Sequence, residues 1–363
     1  MAEQMLPTLR WAEPPDGPAL VLLDQTRLPG AEVELVCTEV PRLVEAIRAL
    51  AVRGAPVLGL AGAYGVALAA ARGDDVARAA RSLSDARPTA VNLGYGVRRA
   101  LDAYRAVGGG PAGASAALAE ARALHREDAE ASERMAAHGR ELLSGLLPGR
   151  PHRLLTHCNT GALVSGGGGT ALAVVRAVHE SGELERLWVD ETRPLLQGAR
   201  LTAYEAAREG MPYSLLADGA AGSLLAAGQV DAVLIGADRI AADGSVANKV
   251  GSYPLAVLAR HHGVPFVVVA PTTTVDLDTP DGGAIEIEQR PAHEVAELIP
   301  GVPVAPAGAR VYNPAFDVTP AALVTAVVTE RGVASPVTAP NIATVCSGSL
   351  PQTSRSGNGM MKA

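Results

Sequence analysis

A chain of 363 residues, 48% hydrophobic and 19% charged, is long enough for two ordinary domains and too apolar to stay unfolded. A net charge of −7 and only 3% aromatic residues exclude a dedicated nucleic-acid binder, which needs clustered Lys and Arg and stacking rings. Three widely spaced cysteines, Cys37, Cys158 and Cys346, suggest neither a disulfide framework nor a zinc cluster, and the opening MAEQMLPTLRWAEPPDGP is no signal peptide, so a cytoplasmic protein is expected.

In chain order, residues 1–38 form an irregular or short-strand entry. ALVLLDQTRLPGAEVELVCTE holds two apolar runs split by LPG, consistent with a small hairpin. After Cys37 the spacing turns helical: EVPRLVEAIRAL, APVLGLAGAYGVALAAA (55–71), RPTAVNLGYGVRRALDAYRAV and the stretch Ala112–Leu147 all repeat apolar residues at three and four. The 55–71 run, hemmed by Arg53 and Arg72, reads as a buried core helix too short to span a bilayer comfortably, so no membrane partner is expected. VGGGPAG (107–113) interrupts the series. Residues 1–150 are therefore expected to form a mainly helical N-terminal domain with short strands at its start.

LPGRPHR (147–153) is the domain boundary, and 151–339 read as short strands alternating with helices. Expected strands are Leu154–Cys158, Leu187–Asp190, Tyr213–Leu216, Ala232–Ile235 and Phe266–Ala270; expected helices are Thr170–Glu180, Gln197–Arg208, Ala220–Ala227 and Tyr253–His261. This rhythm implies right-handed βαβ units and a doubly wound parallel sheet, an α/β fold. The strands do not alternate apolar with polar, as expected where both faces are covered. Residues 340–363, rich in Ser, Gly, Asn and Pro, read as a disordered tail that carries no site, with Cys346 incidental.

In such a sheet, ligands bind beyond the carboxyl ends of the strands. There the sequence places His157, Cys158 and Asn159, then Asp190 to Arg193, then Asp238 in LIGADRI, then the threonines of VAPTTT. The loop SGGGGTALAVV opens a helix and fits an anion site. It also fits G-x-G-x-x-A with Asp190 about 20 positions on, the dinucleotide pattern. About eight residues separate Cys158 from Gly166, however, so a simple phosphate fits better than NAD. A flexible connection is the plainer alternative. Cys158 is either a small buried hydrophobe or a catalytic group on the ligand rim. His157 should point to the opposite face, which argues against a Cys–His dyad. Asp238 is either a turn cap or a general acid with a raised pKa. Asn248 and Lys249 follow a turn at 242–244, and Lys249 could return to a phosphate or oxyanion. Arg53 and Arg87 stand near expected helix starts, Arg87 beside Pro88, and suit phosphate if those ends face the cleft.

The segments RGAPVLGLAGAYGVAL, RPTAVNL, LLTHCNTGAL, GGGGTAL, DETRPLLQGARLTAYE, IGADRIAADGSVANKVGSY and NPAFDVTPAALVTAVVTERG together resemble the methylthioribose-1-phosphate isomerase family of methionine salvage. That family is grouped with ribose-1,5-bisphosphate isomerase and the regulatory subunits of translation initiation factor 2B. The resemblance covers about residues 40–335, and the cysteine of THCNTG with the aspartate of GADRI marks the isomerase branch. NLGYGVRR and ASERMAAHG depart from the family pattern.

The resemblance implies a helical N-terminal domain, a Rossmann-like C-terminal domain and a homodimer. It implies catalytic roles for Cys158 and Asp238, and substrate contacts from Arg53, Gly54, Ala55, Arg87, Gln197, Asn248 and Lys249. It implies a small phosphosugar substrate and no metal or redox cofactor. On this reading Asp238 protonates the ring oxygen, and Cys158 either acts as base through an enediolate or stabilises a hydride shift. Arg53, Arg87, Lys249 and the glycine loop hold the phosphate. The rivals are a ribose-1,5-bisphosphate isomerase, a non-enzymatic regulatory subunit and, on the glycine pattern alone, an NAD-dependent dehydrogenase.

Overall fold

The computed structural model describes residues 6–87, 90–149, 151–299 and 301–348. It opens with an antiparallel meander of β1 (Leu9–Ala12), β2 (Ala19–Leu23) and β3 (Glu34–Cys37), one strand more than the expected hairpin. Next comes α1 (Val40–Arg48), which buries Val40, Leu43, Val44 and Ile47, a stripe at helical spacing. Then α2 (Ala55–Arg72) runs buried on nearly every side and stops at Gly73 in the left-handed conformation. Among the described residues it is the one helix long and apolar enough to cross a membrane. Here it is the core helix, wrapped by α3 (Val76–Ser84), α4 (Val91–Ala106) and the long α5 (Gly110–Leu146). Pro88, read as a first-turn residue, lies outside the described residues.

Beyond residue 150, β4 (His152–Thr156), α6 (Ala171–Glu180), β5 (Leu184–Asp190), α7 (Ala203–Arg208), β6 (Tyr213–Leu216), α8 (Ala221–Ala226) and β7 (Ala232–Ile235) alternate as expected. A hairpin of β8 (Arg239–Ala241) and β9 (Val246–Lys249) follows, then α9 (Ser252–His262) and β10 (Phe266–Val269). The remaining elements are β11 (Val275–Asp276), α10 (His293–Ala296), β12 (Glu297–Ile299), β13 (Val302–Pro303), β14 (Phe316–Thr319), β15 (Ala326–Thr329), β16 (Gly332–Ala334) and α11 (Ala339–Ser347). The main sheet has the order β16-β15-β10-β7-β4-β5-β6 and is parallel except for the edge strand β16. A second sheet has the order β11-β8-β9-β14.

The chain leaves β4 toward β5 on one side and later returns to β7 on the other. That reversal opens a crevice at the carboxyl end of β4. Cys158 lies there.

Three expectations are corrected. β4 ends at Thr156, so Cys158 sits on the loop after the strand and not at its last position. The helix expected over Gln197–Arg208 begins as a π-helical turn, Gly198–Thr202, before α7. Residues from 340 onward are not all irregular: α11 is capped by Thr338, has Pro340 in its first turn, and buries Ile342 and Val345 completely. Cys346 on that helix packs against the sheet core. Polar composition concealed a helix whose apolar face is only two residues wide. Residues 349–363 of the expected tail lie outside the described residues.

Candidate active site

Cys158 is 8% exposed and has φ +64°, a region that a residue with a Cβ seldom occupies. Two hydroxyls hold it there. Its N–H donates to Thr192 Oγ1 at 2.8 Å, and Thr202 Oγ1 donates to its carbonyl at 2.6 Å. Thr202 reaches this carbonyl from the π-helical turn, a feature that recurs at functional positions. A strained residue locked by two dedicated hydrogen bonds at a topological switch point suits a group that must be aimed.

His157 turns away from Cys158, as the sequence suggested. Its Nδ1 meets Asp190 Oδ2 at 3.0 Å and its Nε2 meets the Val250 carbonyl at 2.8 Å. Burial works against charging this ring, but the hydrogen bond and charge of Asp190, with Asp218 behind, raise its pKa overall. Asp218 could join His157 and Asp190 as a metal ligand by proximity. Its two oxygens already accept the N–H groups of Thr192 and Arg193, so the trio is a hydrogen-bond cluster that supports the loop carrying Cys158.

Asp238 arrives from β7 at the start of the β8–β9 hairpin, its N–H bonded to the Ala247 carbonyl at 2.9 Å. Burial pushes its pKa up, while Lys249, Arg87 and Arg53 pull it partly back. The hairpin turns at 242–244, as expected, and returns Lys249 to the same cleft. The Lys249 ammonium donates to the Ala315 carbonyl at 2.7 Å and lies 4.9 Å from the Phe316 ring centre. Burial lowers its pKa, and Cys158 and Asp238 counteract this. Asn248, its strand neighbour, bonds Ser252 Oγ at 2.8 Å and does not line the cleft. Alternation along a strand sends adjacent side chains to opposite faces.

From the helical half come Arg53, Gly54, Ala55 and Arg87. Gly54 precedes α2 with φ +101°, and a Cβ there would lie 2.4 Å from Val164 Cβ, so only glycine fits. No side chain caps α2, whose second residue, Pro56, has no N–H to satisfy, and its first residue, Ala55, lies near Arg87. Arg87 pairs with Glu288 at 3.0 Å, and its Nε is buried without a partner. Gln197, just before the π-helical turn, is 2% exposed with Oε1 unpartnered.

Arg53, Gly54, Arg87, Cys158, Gln197, Asp238 and Lys249 line one cleft, with Leu50, Leu195, Arg290, Ala315 and Phe316 completing the wall. Ala55 lines an adjoining recess that shares Arg87, Asp238 and Phe316 with the cleft; its lining is mixed, with Leu58, Ala90, Val91 and Ile285 beside Asn92, Arg239 and Glu286. Four cations facing one aspartate in the first cleft make it a place for a multiply charged anion. Thr192 was placed on the rim by the sequence; Arg290, Phe316 and Thr202 were missed, because no local pattern distinguishes them from ordinary loop and helix residues.

Two expected contributors do not reach the cleft. The glycine loop packs on α5: the Gly166 N–H donates to Asp128 Oδ2 at 2.6 Å, and the Gly167 N–H donates to Ser165 Oγ at 2.9 Å. A Cβ on Gly167 would meet Ala129 Cα at 2.6 Å, so the loop is glycine-rich to let two backbones approach. With these N–H groups taken and Asp190 bonded to His157, the dinucleotide pattern has no geometry behind it. Thr272 and Thr273 of VAPTTT face a different cavity, with Glu127, Asp128 and Glu330, and Thr274 is fully buried.

The chain is similar over nearly its whole length to known proteins. It is 50% identical over 343 residues to a methylthioribose-1-phosphate isomerase from Pelotomaculum thermopropionicum, covering 92% of each chain. It is 53% identical over 325 residues to another from Anaeromyxobacter sp., covering 89% of this chain and 93% of that one. Among solved structures, 5-methylthioribose 1-phosphate isomerase from Pyrococcus horikoshii superposes with a TM-score of 0.84 at 38% identity, covering 94% and 96% of the two chains. A structure from A. fulgidus described as translation initiation factor eIF-2B subunit delta gives 0.80 at 40% identity, covering 94% and 100%. The profile of the Initiation factor 2 subunit family matches residues 51–336. On sequence and fold together, the chain belongs to the initiation factor 2 subunit family, within its methylthioribose-1-phosphate isomerase group.

Proposed function

We propose that the protein is an aldose–ketose isomerase that converts 5-methylthioribose 1-phosphate to 5-methylthioribulose 1-phosphate in methionine salvage. The observation that carries this is the meeting of Cys158 and Asp238 in one cleft flanked by Arg53, Arg87 and Lys249. The substrate is a furanose whose anomeric oxygen is esterified, so it cannot open as a free sugar does. Asp238, held toward its neutral form by burial, donates a proton to the ring oxygen as the bond from that oxygen to C1 breaks. Hydrogen then moves from C2 to C1 while the C2 hydroxyl becomes the ketone, its proton passing back to the Asp238 carboxylate left by the first step. Cys158 is the base that takes the C2 proton and returns it to C1.

The phosphate rests on the uncapped N–H groups at the start of α2 and on Arg53, Arg87 and Lys249. Gln197 offers its amide to the sugar hydroxyls. The methylthio end lies against Leu58, Ala90, Val91 and Ile285 in the adjoining recess. Asn248 serves from behind by fixing Ser252 at the start of α9. The working form is a cytoplasmic homodimer.

Side-by-side turnover of 5-methylthioribose 1-phosphate and ribose 1,5-bisphosphate tests the assignment. The assignment predicts faster turnover of the first; preference for the bisphosphate overturns it. A regulatory role, as the name of the A. fulgidus relative suggests, requires that neither sugar react.

A further inference from the structure

Behind the cleft runs a line of hydrogen bonds that the scheme above leaves unused. Glu205, on α7, is 1% exposed. Its Oε1 accepts from Asn159 Nδ2 at 2.6 Å, and its Oε2 accepts from the Ala162 N–H at 2.6 Å. Asn159, 4% exposed, accepts from Arg53 Nη2 on its own Oδ1 at 2.8 Å. The other terminal nitrogen of Arg53, Nη1, donates toward Cys158 Sγ at 3.9 Å.

Each link fixes the next. Both Glu205 oxygens receive N–H groups, so the Asn159 amide must turn its NH₂ to Glu205 and its oxygen to Arg53. The reversed amide would set oxygen against oxygen at one end and NH₂ against guanidinium at the other. Arg53, its Nη2 tied to Asn159 and its Nε buried without a partner, is thereby left with Nη1 aimed at the sulfur.

We propose that Glu205 is a positioning residue for the isomerisation, holding the Arg53 guanidinium against Cys158 Sγ through Asn159. The proposal rests on the functional reading above.

Two further observations support it. The π-helical turn Gly198–Thr202 feeds directly into α7, and its Thr202 Oγ1 also accepts from Asn159 Nδ2 at 3.3 Å, so the same bulge that locks Cys158 sets the amide. A buried carboxylate is also costly, and the nearest oppositely charged side chain on α6, Arg176, is itself engaged by Glu209. Glutamine would fill the same volume and remove that cost. A group retained against its own desolvation is explained by what its two acceptor oxygens orient.

A double-mutant cycle tests the line: wild type, Glu205→Gln, Asn159→Ala and the double variant. For each, kcat/KM is measured, along with the rate at which iodoacetamide alkylates Cys158. Alkylation is followed on the Cys158 peptide by mass spectrometry so that Cys37 and Cys346 do not contribute. E205Q is expected to lower kcat/KM by about tenfold to a hundredfold and to change the Cys158 alkylation rate several-fold. In the N159A background the same substitution should change both by less than about twofold, because the link it acts through is gone. Full additivity, or an E205Q protein with wild-type alkylation and kcat/KM, overturns the proposal. If E205Q does not fold, Glu205→Asp, which keeps the charge and shortens the reach, carries the same cycle with the same criteria. A wild type that alkylates normally but turns over no substrate refutes the functional reading, and the alkylation cycle still decides the positioning role.

Discussion

Replacing Asp238 by Asn keeps the volume of the side chain and removes the proton it would donate. Burial raises the pKa of Asp238, while Lys249, Arg87 and Arg53 draw it down, so the carboxyl stands above its ordinary range. At neutral pH more of it is therefore protonated than of an exposed aspartate. A positioned general acid contributes about 10²–10⁴-fold, which at 1.36 kcal/mol per decade is roughly 3–5 kcal/mol of barrier. Asn, like the protonated carboxyl it replaces, is neutral, so the charge seen by the phosphate is unchanged and substrate binding should not weaken. The loss therefore belongs in kcat, with KM unchanged or lower. Initial rates followed by proton NMR across pH read both parameters. Wild-type kcat should fall as pH rises through the elevated pKa of Asp238, and Asp238→Asn should lack that limb. A kcat within a few-fold of wild type, or a loss confined to KM, refutes the general-acid role.

Other outcomes follow from the same structure. Isomerisation in heavy water should place deuterium at C1 if Cys158 moves the proton; complete retention of the substrate hydrogen would replace the base with a hydride shift. Gly54→Ala should cost about 1–3 kcal/mol in chemical denaturation and also raise KM, since a Cβ at φ +101° meets Val164 at the start of α2. Ile342→Ala should cost about 2–5 kcal/mol, because the side chain is fully buried on α11; a near-zero effect would return residues 339–347 to an irregular tail. For Glu205 the folded pKa is raised from 4.5 to about 7 by burial, with Asn159, Arg176 and the Ala162 N–H lowering it and Glu209 raising it. Its contribution to stability is thus complete below pH 4.5 and is lost as pH rises through about 7. Glu205→Gln lacks this loss, so between pH 5 and 8 its stability relative to wild type should improve by about 2–3 kcal/mol.

The alternation of apolar runs with helices after LPGRPHR made the parallel core of the sheet legible, because strands buried on both faces leave continuous hydrophobic segments. The edge strand β16, the β8–β9 hairpin and α11 carry little such signal, since each rests on contacts from distant parts of the chain. For the site, strand ends at a switch point directed attention to Cys158 and Asp238. The glycine loop misled for a physical reason. Glycine serves an anion site and a close backbone approach equally well, and only Asp128, from a helix far back in the chain, decides between them. Glu205 had no signal either, because in LTAYEAAREG it reads as an ordinary helical glutamate until the fold sets it against Asn159. Arg53 was legible only conditionally, as an arginine at an expected helix start, since nothing local says that α2 begins in a cleft.

The most direct measurement is phosphorus NMR of the purified protein with 5-methylthioribose 1-phosphate and nothing else added. The account predicts that the anomeric phosphate signal is replaced by that of a primary phosphate ester, with the ketose protons appearing in parallel. An unchanged spectrum from folded protein would contradict it.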